Sequence, residues 1–174
     1  MFELPIEIKL RNTVDLPNRG YAIDKFQKMP LYEGMGIDNA RFVEETQKFM
    51  NLMWPDGKDN FCSQLKGDLN DLVLEMVFES YGTGKHYASF AASNSHVIRF
   101  LTFIPQEDPE VTNIRLQPHK DLSFATIVHQ VDVGGLEVEA NDGSWIALQP
   151  EPSHFVFMAC QAMQVSNVHL IKST

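Results

Sequence analysis

Cysteine is scarce in this sequence: Cys62 and Cys160 lie far apart and form neither a CxxC pair nor a zinc-ligand pattern. A disulfide framework and a structural zinc finger are therefore not indicated. Long hydrophobic runs are missing too. The longest wholly apolar stretch, Phe155 to Cys160, is far shorter than the roughly 20 residues a helix needs to span a bilayer. Basic charge is in deficit, with 14 Lys and Arg against 23 Asp and Glu and a net charge of −9. With a pI near 5.0 and no basic stripe with interleaved aromatics, nucleic acid and anionic membrane are not expected partners. Met1-Phe2-Glu3-Leu4-Pro5 has neither the basic start nor the apolar run of a signal peptide. No internal repeat and no low-complexity segment interrupts the chain. A soluble protein of the reducing cytoplasm is the expectation.

What is present is ordinary globular composition: 174 residues, 44% hydrophobic and 21% charged, enough for one domain or part of a larger one. Residues 1–95 read as a helical N-terminal part. Pro5 to Asn12 suits a short helix with Ile6 and Leu10 on one face. Thr13 to Pro30, with Pro17, Gly20 and Pro30, reads as loop. Asp38 or Asn39 can cap a helix in which Phe42, Thr46, Phe49, Met50 and Met53 recur on one side, ended by Trp54-Pro55-Asp56-Gly57. A second helix, from about Asn60 to Tyr81, carries the stripe Phe61, Leu65, Leu69, Leu72 and Met76, with Gly82 at the C-terminal cap. Such stripes are expected to be core rather than ligand contacts.

After residue 95 the period changes. Val97 to Ile104, Thr112 to Gln117, Leu122 to Gln130, Gly135 to Glu139, Ser144 to Leu148 and His154 to Met158 read as strands. Asn141-Asp142-Gly143 is a hairpin signal, because these residues tolerate the positive φ that tight turns demand. Helices followed by closely spaced strands predict an α+β, mainly β architecture, a sandwich or jelly roll buttressed by helices.

The chemistry concentrates at His119-Lys120-Asp121. On a strand, residues two apart point to one face, so an imidazole and a carboxylate stand side by side. These are two of the three ligands of a non-haem iron(II) oxygenase. The other histidines do not supply a third by spacing. His129 lies eight residues from Asp121, roughly 26 Å along a straight strand at about 3.3 Å per residue. His86, His96 and His154 read as solvated or hydrogen-bonded side chains, and His169, on a late strand, stays open.

Three blocks in order extend the signal: Gln117 to Gln130, Gly134-Gly135-Leu136-Glu137-Val138, and Asp142-Gly143-Ser144-Trp145-Ile146. Together they resemble the plant 2-oxoglutarate/Fe(II)-dependent dioxygenases, which carry a His-x-Asp, a Gly-Leu-x-Val strand and an Asp-Gly-x-Trp hairpin in this order. Met29-Pro30-Leu31-Tyr32-Glu33-Gly34-Met35-Gly36-Ile37-Asp38 and Asn51 to Gly57 look like the AOP-like branch of that family. The resemblance implies a double-stranded β-helix (jelly roll) with flanking helices, its jelly-roll part in residues 96–174 and incomplete. It implies Fe(II) bound by His119 and Asp121, 2-oxoglutarate as co-substrate, molecular oxygen, supporting ascorbate, and a small-molecule substrate for which Met29 to Asp38 is a candidate contact. That segment reads equally as a packed surface loop.

The resemblance also marks departures. The family's tyrosine in the strand before His-x-Asp stands here as Phe103, and its Gly-Asp after the Phe-Val strand as Cys160-Gln161. Ser166-Asn167 and Ile171-Lys172-Ser173 align with the segment leading to the distal His. By that alignment the third ligand falls beyond Thr174, and the Arg-x-Ser that clamps 2-oxoglutarate falls further on. His169 comes several residues too early. The alternative expectation is therefore a truncated, catalytically inactive relative lacking the distal His and the Arg-x-Ser.

Overall fold

A computed structural model describes residues 1–16, 19–23, 32–57, 68–103, 116–130, 134–149 and 151–165. The chain divides into two compact units, Met1–Gln117 and Pro118–Thr174. The change of sequence period near residue 95 and this division do not coincide, because the first strand after 95 pairs backwards into the first unit.

In the first unit, helix α1 (Ile6–Lys9) is followed by strands β1 (Tyr21–Ile23) and β2 (Tyr32–Asp38), helices α2 (Val43–Met53), α3 (Asp68–Ser80) and α4 (Tyr87–Ser93), and strand β3 (Val97–Phe103). The strands form an antiparallel sheet in the order β1-β2-β3, with Met35 opposite both Tyr21 and Phe100. Two expectations are corrected here. The Thr13 to Pro30 loop contains β1, and the described part of the Met29 to Asp38 segment is a central strand, buried along nearly its whole length. It was illegible as a strand because Gly34 and Gly36 interrupt its apolar pattern. Close approach of the backbone explains Gly36: a Cβ there would meet the Gly20 amide nitrogen at 3.0 Å, and Gly36 N–H donates to Gly20 O at 2.7 Å.

The core of this unit joins Met35, Ile37 and Ala40 to Phe49 and Met53 of α2. Four of the five positions expected on the α2 face are buried, and Phe42 is exposed. Neither Asp38 nor Asn39 caps the helix. Asn39 takes a left-handed φ of 51° in a turn, and Phe42 holds the cap position without a side-chain bond. Helix α1 is shorter than expected, and it turns Lys9 inward while Ile6 and Leu10 stay exposed. The Lys9 ammonium donates to Glu33 Oε1 at 2.6 Å and to Phe2 O at 2.9 Å. Tyr21 donates to the same Glu33 oxygen at 2.7 Å. Burial first, then the hydrogen bond to Glu33 and its charge, push the Tyr21 phenol well above its usual range.

Helix α3 reverses the expected polarity of its stripe. Leu69, Leu72 and Met76 are exposed, and Leu74 is the buried residue. Phe61 and Leu65 lie outside the described residues, as does most of Thr112 to Gln117. Gly82 takes φ 69°. Thr83 N–H bonds Phe78 O and Gly82 N–H bonds Glu79 O, a Schellman cap as the sequence indicates. On β3 burial alternates residue by residue, the period-two pattern from which the strand was expected.

The second unit holds β4 (Ala125–Val128), β5 (Glu137–Glu139), β6 (Trp145–Ala147) and β7 (Val156–Ala159), with a helical segment at 161–165. β4 pairs antiparallel with β7, and β5 with β6. The β5–β6 connection is the expected hairpin, with Gly143 at φ 82°. All four strands are shorter than the sequence suggests, with Leu122 to Gln130 reduced to Ala125–Val128.

Candidate metal centre

His119 and Asp121 sit in the second unit on a stretch without regular structure; the strand proper begins at Ala125. Alternation along a regular strand is therefore not what brings the pair together. The lead-in is fixed instead by backbone bonds to the start of the 161–165 segment. Gln161 N–H donates to Asp121 O at 3.0 Å, Ala162 N–H to Ser123 O at 3.3 Å, and Cys160 N–H to Phe124 O at 3.1 Å. Bends at Ser123 and Phe124 then turn the chain into β4.

The imidazole Nε2 of His119 stands 3.5 Å from Asp121 Oδ1, with side chains 53% and 34% exposed. Two bonds of about 2.1 Å to a first-row divalent ion reach about 4.2 Å end to end, so both atoms can reach one cation. The donor set, one imidazole nitrogen and one carboxylate oxygen, suits Fe(II) with further positions open. Among the described residues no third His, Cys, Asp or Glu completes a cluster.

Asp121 Oδ2 is engaged separately: Thr126 Oγ1 donates to it at 2.7 Å. The buried Cys160 thiol lies 3.4 Å from Thr126 Oγ1 and 3.4 Å from Met158 O, and Ser123 Oγ lies 3.2 Å from Thr126 Oγ1. Thr126 is five residues from Asp121, so strict alternation assigns it to the opposite face. Only the bends at 123–124 bring the two together, and no sequence period could have found the contact.

The remaining described histidines are engaged elsewhere or exposed. His129 Nε2 is 3.0 Å from Pro152 O, and its ring stacks on Phe155 with centroids 4.6 Å apart. His154 pairs with Glu151 at 3.3 Å, His96 lies 3.9 Å from Asp71, and His86 is exposed. His169 is outside the described residues. Phe103, at the family's tyrosine position, tilts against Tyr32 with centroids 5.8 Å apart. No helix of the described residues is long and apolar enough to cross a membrane.

This pair lies in a stretch matching a known family over residues 92–174. That family is the 2OG-Fe(II) oxygenase superfamily. Over a longer stretch the similarity is to the AOP-like plant branch. The chain is 32% identical over 170 residues to a probable 2-oxoglutarate-dependent dioxygenase, AOP1.2, of Arabidopsis thaliana, covering 91% of this chain and 51% of that protein. It is 28% identical over 147 residues to the 2-oxoglutarate-dependent dioxygenase AOP2 of the same plant, covering 79% and 31%. The chain thus spans about half the length, or less, of these curated relatives.

Among solved structures it matches the dioxygenase for auxin oxidation 1 of Arabidopsis thaliana in its 2-oxoglutarate complex. That match has a TM-score of 0.81 and 23% identity, over 94% of this chain and 62% of that one. The rice dioxygenase for auxin oxidation matches with a TM-score of 0.60. This likeness shows the fold: the jelly roll with flanking helices that the sequence motifs imply.

Proposed function

We propose that this chain carries part of the metal site of a 2-oxoglutarate- and Fe(II)-dependent dioxygenase acting on a small plant metabolite, with His119 and Asp121 as two of the iron ligands. The observation that supports it is the 3.5 Å approach of Nε2 and Oδ1 within the family's His-x-Asp sequence. Bound Fe(II) supplies the oxygen chemistry by which 2-oxoglutarate is decarboxylated to succinate and CO₂ while the second oxygen atom goes into the substrate as a hydroxylation or related oxidation. His119 would offer a ring nitrogen and Asp121 one carboxylate oxygen to the metal, with its other positions left for the family's third protein donor, the co-substrate and O₂. Ascorbate is the supporting reductant, and the cytoplasm the setting.

The competing reading is a catalytically silent relative, favoured by the absence of a third donor among the described residues. Incubating the protein with Fe(II), ascorbate, 2-oxoglutarate and O₂ separates the two. The dioxygenase reading expects succinate from the wild type and none from His119→Ala. No succinate from a folded wild type supports the silent reading.

A further inference from the structure

We infer that Thr126 is a positioning residue for the Asp121 carboxylate, and that Cys160 and Ser123 hold Thr126 in that role; the inference rests on Asp121 being a metal ligand. The two carboxylate oxygens have separate partners. Oδ1 faces His119 Nε2 at 3.5 Å, and Oδ2 takes the Thr126 hydroxyl hydrogen at 2.7 Å. A carboxylate held by one oxygen presents the other in a fixed direction, which favours a single oxygen–metal bond over a chelating pair.

The direction of the Thr126 hydrogen follows from its surroundings. A hydroxyl has one hydrogen and two lone pairs, and an ionised carboxylate can only accept. The hydrogen therefore goes to Asp121, and the lone pairs face Ser123 Oγ at 3.2 Å and the Cys160 thiol at 3.4 Å. Cys160 is 5% exposed, and its thiol hydrogen has a second acceptor in Met158 O at the same distance. The thiol is thus a weaker support than Thr126 itself. β4 and β7 set the arrangement, since Thr126 pairs in register with Met158. Cys160, just beyond β7, keeps the ladder going through its amide bond to Phe124 O.

Because Asp121 is a third exposed, its carboxylate rehydrates when Thr126 is lost. The effect therefore falls on metal binding rather than on folding.

Anaerobic titration of the full chain with Co(II), alongside thermal unfolding of the metal-free protein, tests this. Thr126→Val, which keeps the shape and removes the hydroxyl, is expected to weaken Co(II) binding about tenfold or more, as lost partners of metal ligands do. It should also change the visible absorption of bound Co(II), which follows coordination geometry, while leaving the melting temperature nearly unmoved. Thr126→Ser should rescue affinity to within about threefold, and Cys160→Ala should weaken it only about two- to threefold. Wild-type affinity and spectrum in Thr126→Val overturn the inference, as does a Thr126→Ser as weak as Thr126→Val. Should Thr126→Val not fold, Thr126→Ser and Cys160→Ala decide: a Cys160→Ala with lower melting temperature and unchanged Co(II) affinity overturns it. A wild type that takes up no Co(II) removes the metal-ligand reading and this inference together.

Discussion

Replacing Glu33 by Ala perturbs the most heavily buried ion pair among the described residues of the first unit. The Lys9 and Glu33 side chains are only 10% and 12% exposed, with 2.6 Å between Nζ and Oε1. Removing one partner of a buried pair costs about 3–5 kcal/mol, because the other charge is left without compensation. Lys9 keeps its bond to Phe2 O at 2.9 Å, which places the cost near the low end, about 3 kcal/mol. The Tyr21 hydroxyl loses its acceptor as well. At about 2–4 °C per kcal/mol for a chain of this size, the melting temperature should fall by about 6–12 °C. Urea unfolding followed by circular dichroism measures the free energy. Lys9→Met and Glu33→Leu should each cost a similar amount, and the double variant Lys9→Met/Glu33→Leu should recover most of the loss, since well-packed apolar residues replace buried pairs at little cost. A coupling energy of at least about 2 kcal/mol is expected from the cycle. A loss below about 1 kcal/mol in Glu33→Ala, or strictly additive single variants, refutes the reasoning.

Gly20→Ala should destabilise by more than about 2 kcal/mol, because it combines a left-handed backbone (φ 68°) with a Cβ 2.5 Å from Asn12 O. Gly82→Ala has the same backbone strain but no atom within 4 Å; it should cost only about 1 kcal/mol, and equal losses in chemical denaturation contradict this account. Leu74→Ala should cost about 2–4 kcal/mol and Met76→Ala under about 0.5, since Leu74 is 4% and Met76 60% exposed; the reverse order restores the stripe expected from the sequence. The Asp142 carboxyl lies below the usual range because the Ser144 hydroxyl and then its amide donate to it. A depressed folded value means its contribution is complete above the unfolded value and is lost as pH falls through the folded one. An NMR titration of Asp142 should show that low midpoint, raised in Ser144→Ala; an ordinary midpoint rules the contact out in solution.

How much the sequence disclosed follows from what each signal depends on. β3 and the Asn141-Asp142-Gly143 hairpin were legible because alternation and positive-φ residues are local properties. The buried side of α2 was legible from its spacing. The α3 stripe was misread because periodicity shows an apolar face but not whether anything covers it: the exposed Leu69 and Leu72 line an open cleft with Asp71, Glu75, Tyr87 and Ala91. β2 was hidden by its glycines, whose reason is the Gly20 backbone in another segment. At the candidate metal centre, motif order singled out His119 and Asp121, which the structure places 3.5 Å apart. Thr126 could not, because the bends that join it to Asp121 break the very period on which strand reading relies.

The central claim is that His119 and Asp121 share one metal ion, and an anaerobic Fe(II) titration of wild type and His119→Ala tests it most directly. One equivalent of Fe(II) is expected on the wild type, and loss of that equivalent in a His119→Ala protein that still melts as the wild type does. Equal Fe(II) uptake by the two proteins would contradict the claim.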